Sequence, residues 1–205
     1  MSIKYWNNYY ETQNIPFSNS LFSDFVLNKL KKSKRLIDIG CGNGRDSIFF
    51  SNNKIKTLGI DYSDSAINNL NQYTNQNLEF KKIQIEKIND DLGDEYFDYA
   101  YCRFLLHSLN EKTETSLFDW ISKNVTDSIF IETRINKDLE NEHNQNHYRR
   151  QIDPESLLKL IEDINFKISY SEISNKFSPY SLDYGVEDIT KDPLLLRIVA
   201  SKNSK

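Results

Sequence analysis

The sequence predicts an α/β fold: a doubly wound sheet that is mostly parallel, with an antiparallel strand at its C-terminal edge and helices on both faces. Short apolar runs of strand length alternate with segments of helical periodicity, and this repeating order is typical of parallel strand–helix units. The first strand candidate ends in a turn with three alternating glycines, as expected where a parallel strand passes into a helix beneath a ligand. The last two apolar segments follow a different rhythm, and we expect them to form the edge of the sheet.

The first predicted elements are a helix and the strand that follows it. Apolar residues recur at helical spacing within residues 20–32, which predicts a helix with Ser20 or Ser18 as its N-cap. A basic turn then leads into a strand over residues 35–39.

Two of the later helices begin with recognisable caps. Ser63 is placed to cap one of them, and Asp153 followed by Pro154 starts another, because proline is favoured at the first helical position. The other strands are expected over residues 56–60, 78–83, 97–102, 128–132, 167–174 and 194–201, and the other helices over residues 45–51, 64–73, 113–123 and 154–164.

The composition fits a single domain over residues 1–205. Hydrophobic residues make up 38% of the chain, and the 12 Phe and 12 Tyr argue against disorder. The chain has 26 Lys and Arg against 30 Asp and Glu, and its net charge of −4 argues against broad electrostatic capture of nucleic acid or anionic membranes. No segment approaches the roughly 18 apolar residues of a membrane span, and residues 1–7 lack a secretory signal pattern, so we expect a cytoplasmic protein.

The glycine turn carries the main chemical signal. Asp38 lies at the end of the first strand, and Gly40, Gly42 and Gly44 follow at alternate positions. Dinucleotide-binding loops favour G-x-G-x-x-G, but Arg45 stands where the third glycine would be, and a carboxylate at Asp38 would repel a pyrophosphate. The same carboxylate suits the ammonium of an amino-acid moiety. The alternative is a glycine turn beside a chance acid.

A second acid, Asp61, closes the next strand about twenty residues after the glycines. A carboxylate in that place can accept hydrogen bonds from both hydroxyls of a ribose. The alternative is that Asp61 caps the following helix.

The pattern D-x-G-x-G-x-G from Asp38 to Gly44 resembles the first motif of class I S-adenosylmethionine (SAM) dependent methyltransferases. The resemblance covers roughly residues 35–132 and implies a Rossmann-like sheet, SAM as cofactor and methyl transfer as the activity. It implies that Asp38 helps to hold the amino group of SAM and that Asp61 binds its ribose. The implied cofactor contacts are Tyr10, Asp38, Gly40, Gly42, Asn43, Gly44, Arg45, Asp61, Tyr62, Ser63, Gln84, Ile85 and Arg103.

The third and fourth strands supply four further residues to consider. The family usually has an acid after the third strand, and Gln84 stands in its place, where its carbonyl can still accept from the adenine amino group. The amide of Ile85 is expected near the adenine ring. After the fourth strand, Arg103 is expected to pair with the methionine carboxylate, and His107 is a candidate base for an acceptor hydroxyl. A structural role for His107 is the alternative, because many methyltransferases act by positioning alone.

A basic cluster predicts a small anionic acceptor. Arg134 follows the fifth strand, and residues 147–150 join an imidazole, a phenol and two guanidinium groups. Guanidinium groups match phosphate and carboxylate oxygens in two-point fashion. The alternative places these bases at the surface, paired with Asp153 and Glu155. The expected acceptor contacts are Trp6, Tyr9, Arg134, His147, Tyr148, Arg149 and Arg150, with residues 134–152 as a polar substrate-side loop.

The aromatic segment near the N-terminus gives a narrower resemblance. Trp6, Tyr9 and Tyr10, taken with residues 147–150, are similar to segments of small bacterial methyltransferases of cell-surface polysaccharide biosynthesis, some of them proposed to methylate sugars or phosphoramidate groups. That resemblance implies O-methylation of a phosphorylated, phosphoramidate or nucleotide-activated building block of capsular polysaccharide. It also implies that residues 1–33 form an N-terminal helical lid. Core packing is the alternative role for the aromatic residues.

Two other functions stay open at this point: RNA or protein methylation, and a non-catalytic SAM-binding partner subunit. RNA methylation would need a basic patch against a sequence pI near 5.5. A scaffold would have no use for the glycines and both acids together. The oligomeric state is not predicted.

No metal site is expected. His143 and His147 have helical spacing, but Asn144 stands where a zinc-binding helix has Glu. Cys41 and Cys102 are expected to be small buried residues, neither nucleophiles nor a disulfide.

Overall fold

The computed structural model describes residues 3–12, 18–135, 149–177 and 193–203. Within these ranges the strands are β1 (Arg35–Ile39), β2 (Lys56–Asp61), β3 (Leu78–Lys82), β4 (Phe97–Arg103), β5 (Val125–Arg134), β6 (Phe166–Ser174) and β7 (Leu195–Lys202). The α-helices there are α1 (Ile3–Thr12), α2 (Leu21–Leu27), α3 (Arg45–Asn52), α4 (Asp64–Leu70), α5 (Ile88–Leu92), α6 (Glu111–Asn124) and α7 (Pro154–Asp163).

The described strands form one sheet in the order β3-β2-β1-β4-β5-β7-β6. The first five are parallel, whereas β7 runs antiparallel to both β5 and β6. The predicted fold class is therefore confirmed: β7, the strand next to the C-terminal edge, runs antiparallel to both of its neighbours. The strand order reverses between β1 and β4, and open sheets of this kind bind ligands outside the carboxyl ends of the strands at such a point.

The core lies on both faces of the sheet because successive residues of each central strand point to opposite sides. On β1, Ile37 and Ile39 join the larger cluster, which receives buried side chains from α5, α6 and α7. Leu36 joins a second cluster that is covered by α2 and α3. Trp120 of α6 is fully buried in the larger cluster, and burial of a large apolar side chain contributes roughly 1.5–3 kcal/mol or more.

The predicted helix caps are present. Ser20 accepts from the Ser23 amide at 3.0 Å, and Ser63 accepts from the Ala66 amide at 3.2 Å. Asp153 accepts from the Ser156 amide at 2.9 Å, with Pro154 in the first turn of α7. Each cap satisfies an amide that the first helical turn leaves without an intrahelical partner.

Some predicted elements differ from the observed ones. The helix expected over residues 20–32 ends at Leu27, although Leu30 still packs against the core from the turn that follows. The helix expected over residues 64–73 ends at Leu70 and continues as a short 3₁₀ turn. Helix α1 lies within residues 1–33, which were expected to form a helical lid, but its bounds were not predicted because it is held by polar contacts to α4. Helix α5, only five residues long, was not predicted.

The Asp46 carboxylate joins helices α2 and α3 to the sheet. Its Oδ1 accepts from the Ser20 amide at 2.7 Å, and its Oδ2 accepts from the hydroxyls of Ser20 at 2.8 Å and Tyr101 at 2.7 Å. Asp46 lies in the first turn of α3, Ser20 caps α2 and Tyr101 belongs to β4. All three residues are buried, so these bonds fix the start of α2 beside the glycine turn.

None of the helices in the described ranges is both long enough and apolar enough to span a bilayer.

Replacing Asp46 by Ala is expected to lower the free energy of unfolding by about 2–4 kcal/mol, because three buried donors lose a charged acceptor. Urea denaturation measures the change. The control is Asp119→Ala on the exposed side of α6, which is expected to change stability by less than about 0.5 kcal/mol. Equal, small effects of both substitutions would contradict this role of Asp46.

Candidate active site

The candidate site begins at the glycine turn after β1. Gly42 and Gly44 have φ angles of 55° and 73°, in the left-handed region that favours glycine. A Cβ on Gly42 would lie 2.4 Å from the Tyr10 hydroxyl, and a Cβ on Gly44 would lie 2.5 Å from Cδ2 of Leu70. Gly42 therefore lets α1 approach the loop, whereas Gly44 lets the loop pack on α4.

Asp61 connects the end of β2 to this loop. One carboxylate oxygen accepts from the Gly42 amide and the other from the Ser63 amide, both at 2.9 Å. The pKa of Asp61 is raised, because burial outweighs the stabilising amide bonds. Ser63, not Asp61, supplies the side-chain cap of α4. The carboxylate that was predicted to bind a ribose thus lies directly beside the glycine turn.

Asp38 lies buried at the tip of β1, between β2 and β4. The Ser47 hydroxyl donates to its Oδ2 at 2.5 Å. Burial raises the pKa of Asp38 to about 8, and the negative charges of Asp46 and Asp61 act in the same direction, while the Ser47 hydrogen bond and the charge of Arg103 oppose the rise. A cation placed against this carboxyl would favour its ionised form.

The predicted adenine side lies next to Asp61. The Ile83 amide donates to the Asp61 carbonyl at 2.9 Å, which brings the end of β3 to the end of β2. Gln84 follows half-buried, and Ile85 is buried at the start of a 3₁₀ turn, Ile85–Lys87. Tyr62 is half-buried. The structure therefore gathers these predicted contacts at the carboxyl ends of β2 and β3, along one edge of the region over the carboxyl ends of β1–β5 that we call the crevice.

Helix α1 lies over the glycine turn and the start of α4, at the same edge of the site. The Ser63 hydroxyl donates to Oδ1 of Asn7 at 2.7 Å. The Asn69 side chain donates to the Tyr10 carbonyl at 3.1 Å. Trp6 stacks on Tyr10 with ring centroids 5.8 Å apart, and Tyr9 meets both rings edge-on. The predicted aromatic patch is thus one stacked group whose Tyr10 member lies against the glycine turn.

A row of charged residues lies on β4, β5 and β7, on the other side of β1 from Asp61. Glu132 of β5 is fully buried, and its two oxygens accept from Nε of Arg103 at 2.9 Å and from Nε of Arg197 at 2.6 Å. Arg103 was predicted as a cofactor contact, but Glu132 and Arg197 were not predicted as site residues. The sequence did carry a signal for each of them, because each is a charged residue within an otherwise apolar strand segment.

Phe104 is a third residue that the sequence reasoning missed. It has a φ angle of 55°, which is strained for a bulky side chain. The guanidinium carbons of Arg103 and Arg134 lie 4.1 Å and 5.4 Å from its ring centroid, and His107 lies edge-on at 6.3 Å. The strained backbone thus places an aromatic ring among three of the predicted site residues.

The segment after residue 148 returns to His107. The His107 carbonyl accepts from the Arg150 amide at 2.8 Å, and the Leu109 carbonyl accepts from Nε of Arg150 at 2.8 Å. Arg150 also forms an ion pair with Glu114, and burial raises the pKa of that glutamate. The Arg150 side chain is therefore engaged within the protein, by Glu114 and not by the surface acids considered as its alternative partners.

The remaining predicted residues are placed as follows. His107 is buried in the 3₁₀ turn Leu106–Ser108, and Arg149 is half-buried beside Arg150. Asn43 and Arg45 flank Gly44 and are half-buried. His147 and Tyr148, as well as His143, lie outside the described residues.

The cysteines are not paired in the structure. Cys102 lies within β4, and burial raises the pKa of its thiol, as it does for the half-buried Cys41. Among the described residues, no group of three or more His, Cys, Asp and Glu side chains is arranged to hold a metal ion.

Comparisons with known proteins place this fold and site in context. The family described as a methyltransferase domain matches residues 14–171. No curated protein sequence matches the chain. A SAM-dependent methyltransferase from Methanosarcina mazei has a similar structure, with a TM-score of 0.69, 16% identity and coverage of 88% of this chain and 98% of that chain.

Two further similar structures contain S-adenosylhomocysteine. Geranyl diphosphate C-methyltransferase from Streptomyces coelicolor A3(2) gives a TM-score of 0.72 at 11% identity, covering 88% of this chain and 75% of that chain. The 1,6-didemethyltoxoflavin-N1-methyltransferase from Burkholderia thailandensis gives a TM-score of 0.65 at 18% identity, covering 89% and 77%. At such identities the likeness concerns the fold.

The family match spans most of the chain and includes the glycine turn, Asp38, Asp61 and the strands that carry them. The chain therefore belongs to the methyltransferase domain family, which confirms the predicted enzyme class and cofactor, a methyltransferase that uses SAM.

Proposed function

We propose that the chain methylates an oxygen of a small anionic acceptor. The observation that carries this proposal is the pair of arginines around Phe104, at the carboxyl ends of β4 and β5, of which Arg103 is assigned to the cofactor and Arg134 to the acceptor. The leading acceptor class is a phosphorylated, phosphoramidate or nucleotide-activated building block of cell-surface polysaccharide. The resemblance of the N-terminal aromatic segment and residues 147–150 supports that class.

The arginine geometry favours an anion over a neutral acceptor. Arg134 and Arg103 approach the Phe104 ring from neighbouring strands. Arg149 lies in the same region, because the amide of its neighbour Arg150 donates to the His107 carbonyl. Guanidinium groups bind phosphate and carboxylate oxygens with two parallel hydrogen bonds. The Streptomyces enzyme is named for a diphosphate substrate, so this fold is compatible with an anionic acceptor.

The described residues fit the functional groups of SAM. Asp61 offers a carboxylate to the ribose hydroxyls, and Gln84 and Ile85 border the adenine. Asp38 offers a carboxylate to the ammonium, and Arg103 offers a guanidinium to the carboxylate of the methionine part. Opposite charges on β1 and on β4 thus correspond to the two charges of an amino acid.

When bound, SAM supplies an activated methyl group together with its leaving group. The protein residues then orient the acceptor oxygen in line with the methyl carbon and exclude water. The α1 lid, with Tyr10 on the glycine turn, is suited to that exclusion. His107 is the candidate base for the acceptor proton, with a structural role as the alternative.

Asp61→Asn is expected to weaken binding of S-adenosylhomocysteine at least about tenfold, because a charge-assisted hydrogen bond to the ribose contributes about 1.5–3 kcal/mol. Titration calorimetry measures the dissociation constant. Asp64→Ala, three residues away and exposed, is the control and should leave the affinity unchanged. Unchanged affinity in Asp61→Asn would remove the ribose role.

Binding of S-adenosylhomocysteine is expected to tighten as the pH rises from about 6 to about 7.5. The Asp38 carboxyl, with its pKa of about 8, holds a proton over this range in the ligand-free protein, and the ligand's ammonium favours its ionised form, so binding releases a proton. Calorimetry in two buffers of different ionisation enthalpy measures the release. Asp38→Asn should bind more weakly and with less proton release. The same release in both proteins would contradict the assignment.

The proposed acceptor class is tested by methyl transfer from labelled SAM to paired acceptors. Each phosphorylated sugar, sugar nucleotide and phosphoramidate is paired with its neutral counterpart, and bulk RNA is included. We expect label on anionic members only, and Arg134→Ala should raise the acceptor KM far more than the SAM KM. Lys112→Ala, at an exposed position on α6, is the matched control.

Label on the neutral members or on RNA would contradict the anionic acceptor and leave the methyltransferase class intact. Cofactor binding without label on any acceptor would favour a non-catalytic partner subunit.

A further inference from the structure

Four charged residues of alternating sign form one row across four adjacent strands. Arg103 of β4 is the register partner of Glu132 of β5, and Glu132 is in turn the partner of Arg197 of β7. Arg197 is the partner of Glu172 of β6. Register partners in a sheet project from the same face, so this row runs from the cofactor crevice to the edge of the sheet.

Glu132 is the centre of the row. Its side chain is fully buried, whereas the side chains of Arg197 and Arg103 are 7% and 14% exposed. Each of its oxygens accepts from the Nε atom of one arginine. Exposure is therefore greatest at the Arg103 end of this buried triad, which is the end at the crevice.

Arg197 is held from several sides. Its Nη2 donates to the Phe177 carbonyl at 3.1 Å. Its guanidinium carbon lies 5.3 Å and 5.4 Å from the ring centroids of Phe22 and Phe25, and 4.1 Å from that of Phe177. Arg197 is thus a fixed cation that can determine where the Glu132 carboxylate lies.

Stability alone does not explain this arrangement. Apolar residues of similar volume in place of a buried ionic triad are often as stabilising or more so, because burial of charges carries a desolvation cost. The row instead ends at Arg103 on the same sheet face as Asp38, because Tyr101 is the register partner of Asp38 and Arg103 lies two residues further along β4. This placement lets Asp38 and Arg103 interact with the same amino-acid moiety.

We propose that Glu132, fixed by Arg197, is a positioning residue that holds the Arg103 guanidinium against the methionine carboxylate of the cofactor. Asp38 takes the ammonium of the same moiety. This inference rests on the proposed function in one respect, the pairing of Arg103 with that carboxylate. It adds that the C-terminal strand β7 contributes to cofactor recognition through Arg197 without touching the cofactor.

The test compares two ligands on each protein preparation: S-adenosylhomocysteine, and 5′-methylthioadenosine, which lacks the amino-acid part. The ratio of the two dissociation constants reports recognition of that part and is insensitive to the folded fraction of the sample. We expect Glu132→Gln to reduce the preference for S-adenosylhomocysteine at least about fivefold, with methylthioadenosine binding within about twofold of wild type.

The matched control is Glu172→Gln, the same substitution in the same row at an exposed position, and it should leave the ratio unchanged. If Glu132→Gln does not fold, Arg197→Lys provides the same test. It keeps the charge but lacks the guanidinium fork that reaches both Glu132 and the Phe177 carbonyl, so the ratio should again fall.

Arg103→Ala distinguishes the pairing of Arg103 with the cofactor carboxylate from the positioning role of Glu132. If it leaves the ratio unchanged, Arg103 does not bind the carboxylate, and that part of the proposed function is wrong. If it lowers the ratio while Glu132→Gln does not, the positioning role alone is overturned. Equal weakening of both ligands in Glu132→Gln would make Glu132 a structural residue and would also overturn the proposal.

Discussion

The hydrogen bond from the Gly42 amide to the Asp61 carboxylate is the contact on which the candidate site depends. It joins the loop after β1 to the end of β2, and the same carboxylate also accepts from Ser63 at the start of α4. Because the side chain of Ser63 bonds Asn7, helix α1 is tied to the same point. The glycine turn, the acid proposed to bind the ribose and the helix proposed as a lid are therefore positioned by one short network.

The crevice is divided by charge, although the chain as a whole has a net charge of only −4. Acids lie at the ends of β1 and β2, where burial raises the pKa of Asp38 and of Asp61. Arginines lie at the ends of β4 and β5. This division suits a cofactor with a cationic amino group and sulfonium on one side, and a carboxylate with an anionic acceptor on the other.

The parallel half of the fold was predictable because its signals are local. The bounds of β1 match the prediction at both ends, and the cap residues Ser20, Ser63 and Asp153 are observed in that role. The positions of the glycine turn and of Asp61 were predictable for the same reason. In each case the end of a strand, a turn and the start of a helix follow one another within a few residues.

The parts that were missed depend on contacts between distant segments. Glu132 and Arg197 are 65 positions apart and meet only because β7 pairs with β5 in one register. The pairing of Arg150 with Glu114 likewise requires the chain to return to the turn after β4. For α1 a helical lid over residues 1–33 was expected, but its bounds were missed because it places no apolar face in the core and is held by contacts with α4. Sequence periodicity does not report such pairings.

A crystal structure of the protein with S-adenosylhomocysteine tests the central claim most directly. The account predicts the Asp61 carboxylate at hydrogen-bond distance, about 2.6–3.2 Å, from both ribose hydroxyls, with the methionine part along residues 40–44 between Asp38 and Arg103. A ligand bound elsewhere, or a ribose that does not contact Asp61, would contradict it.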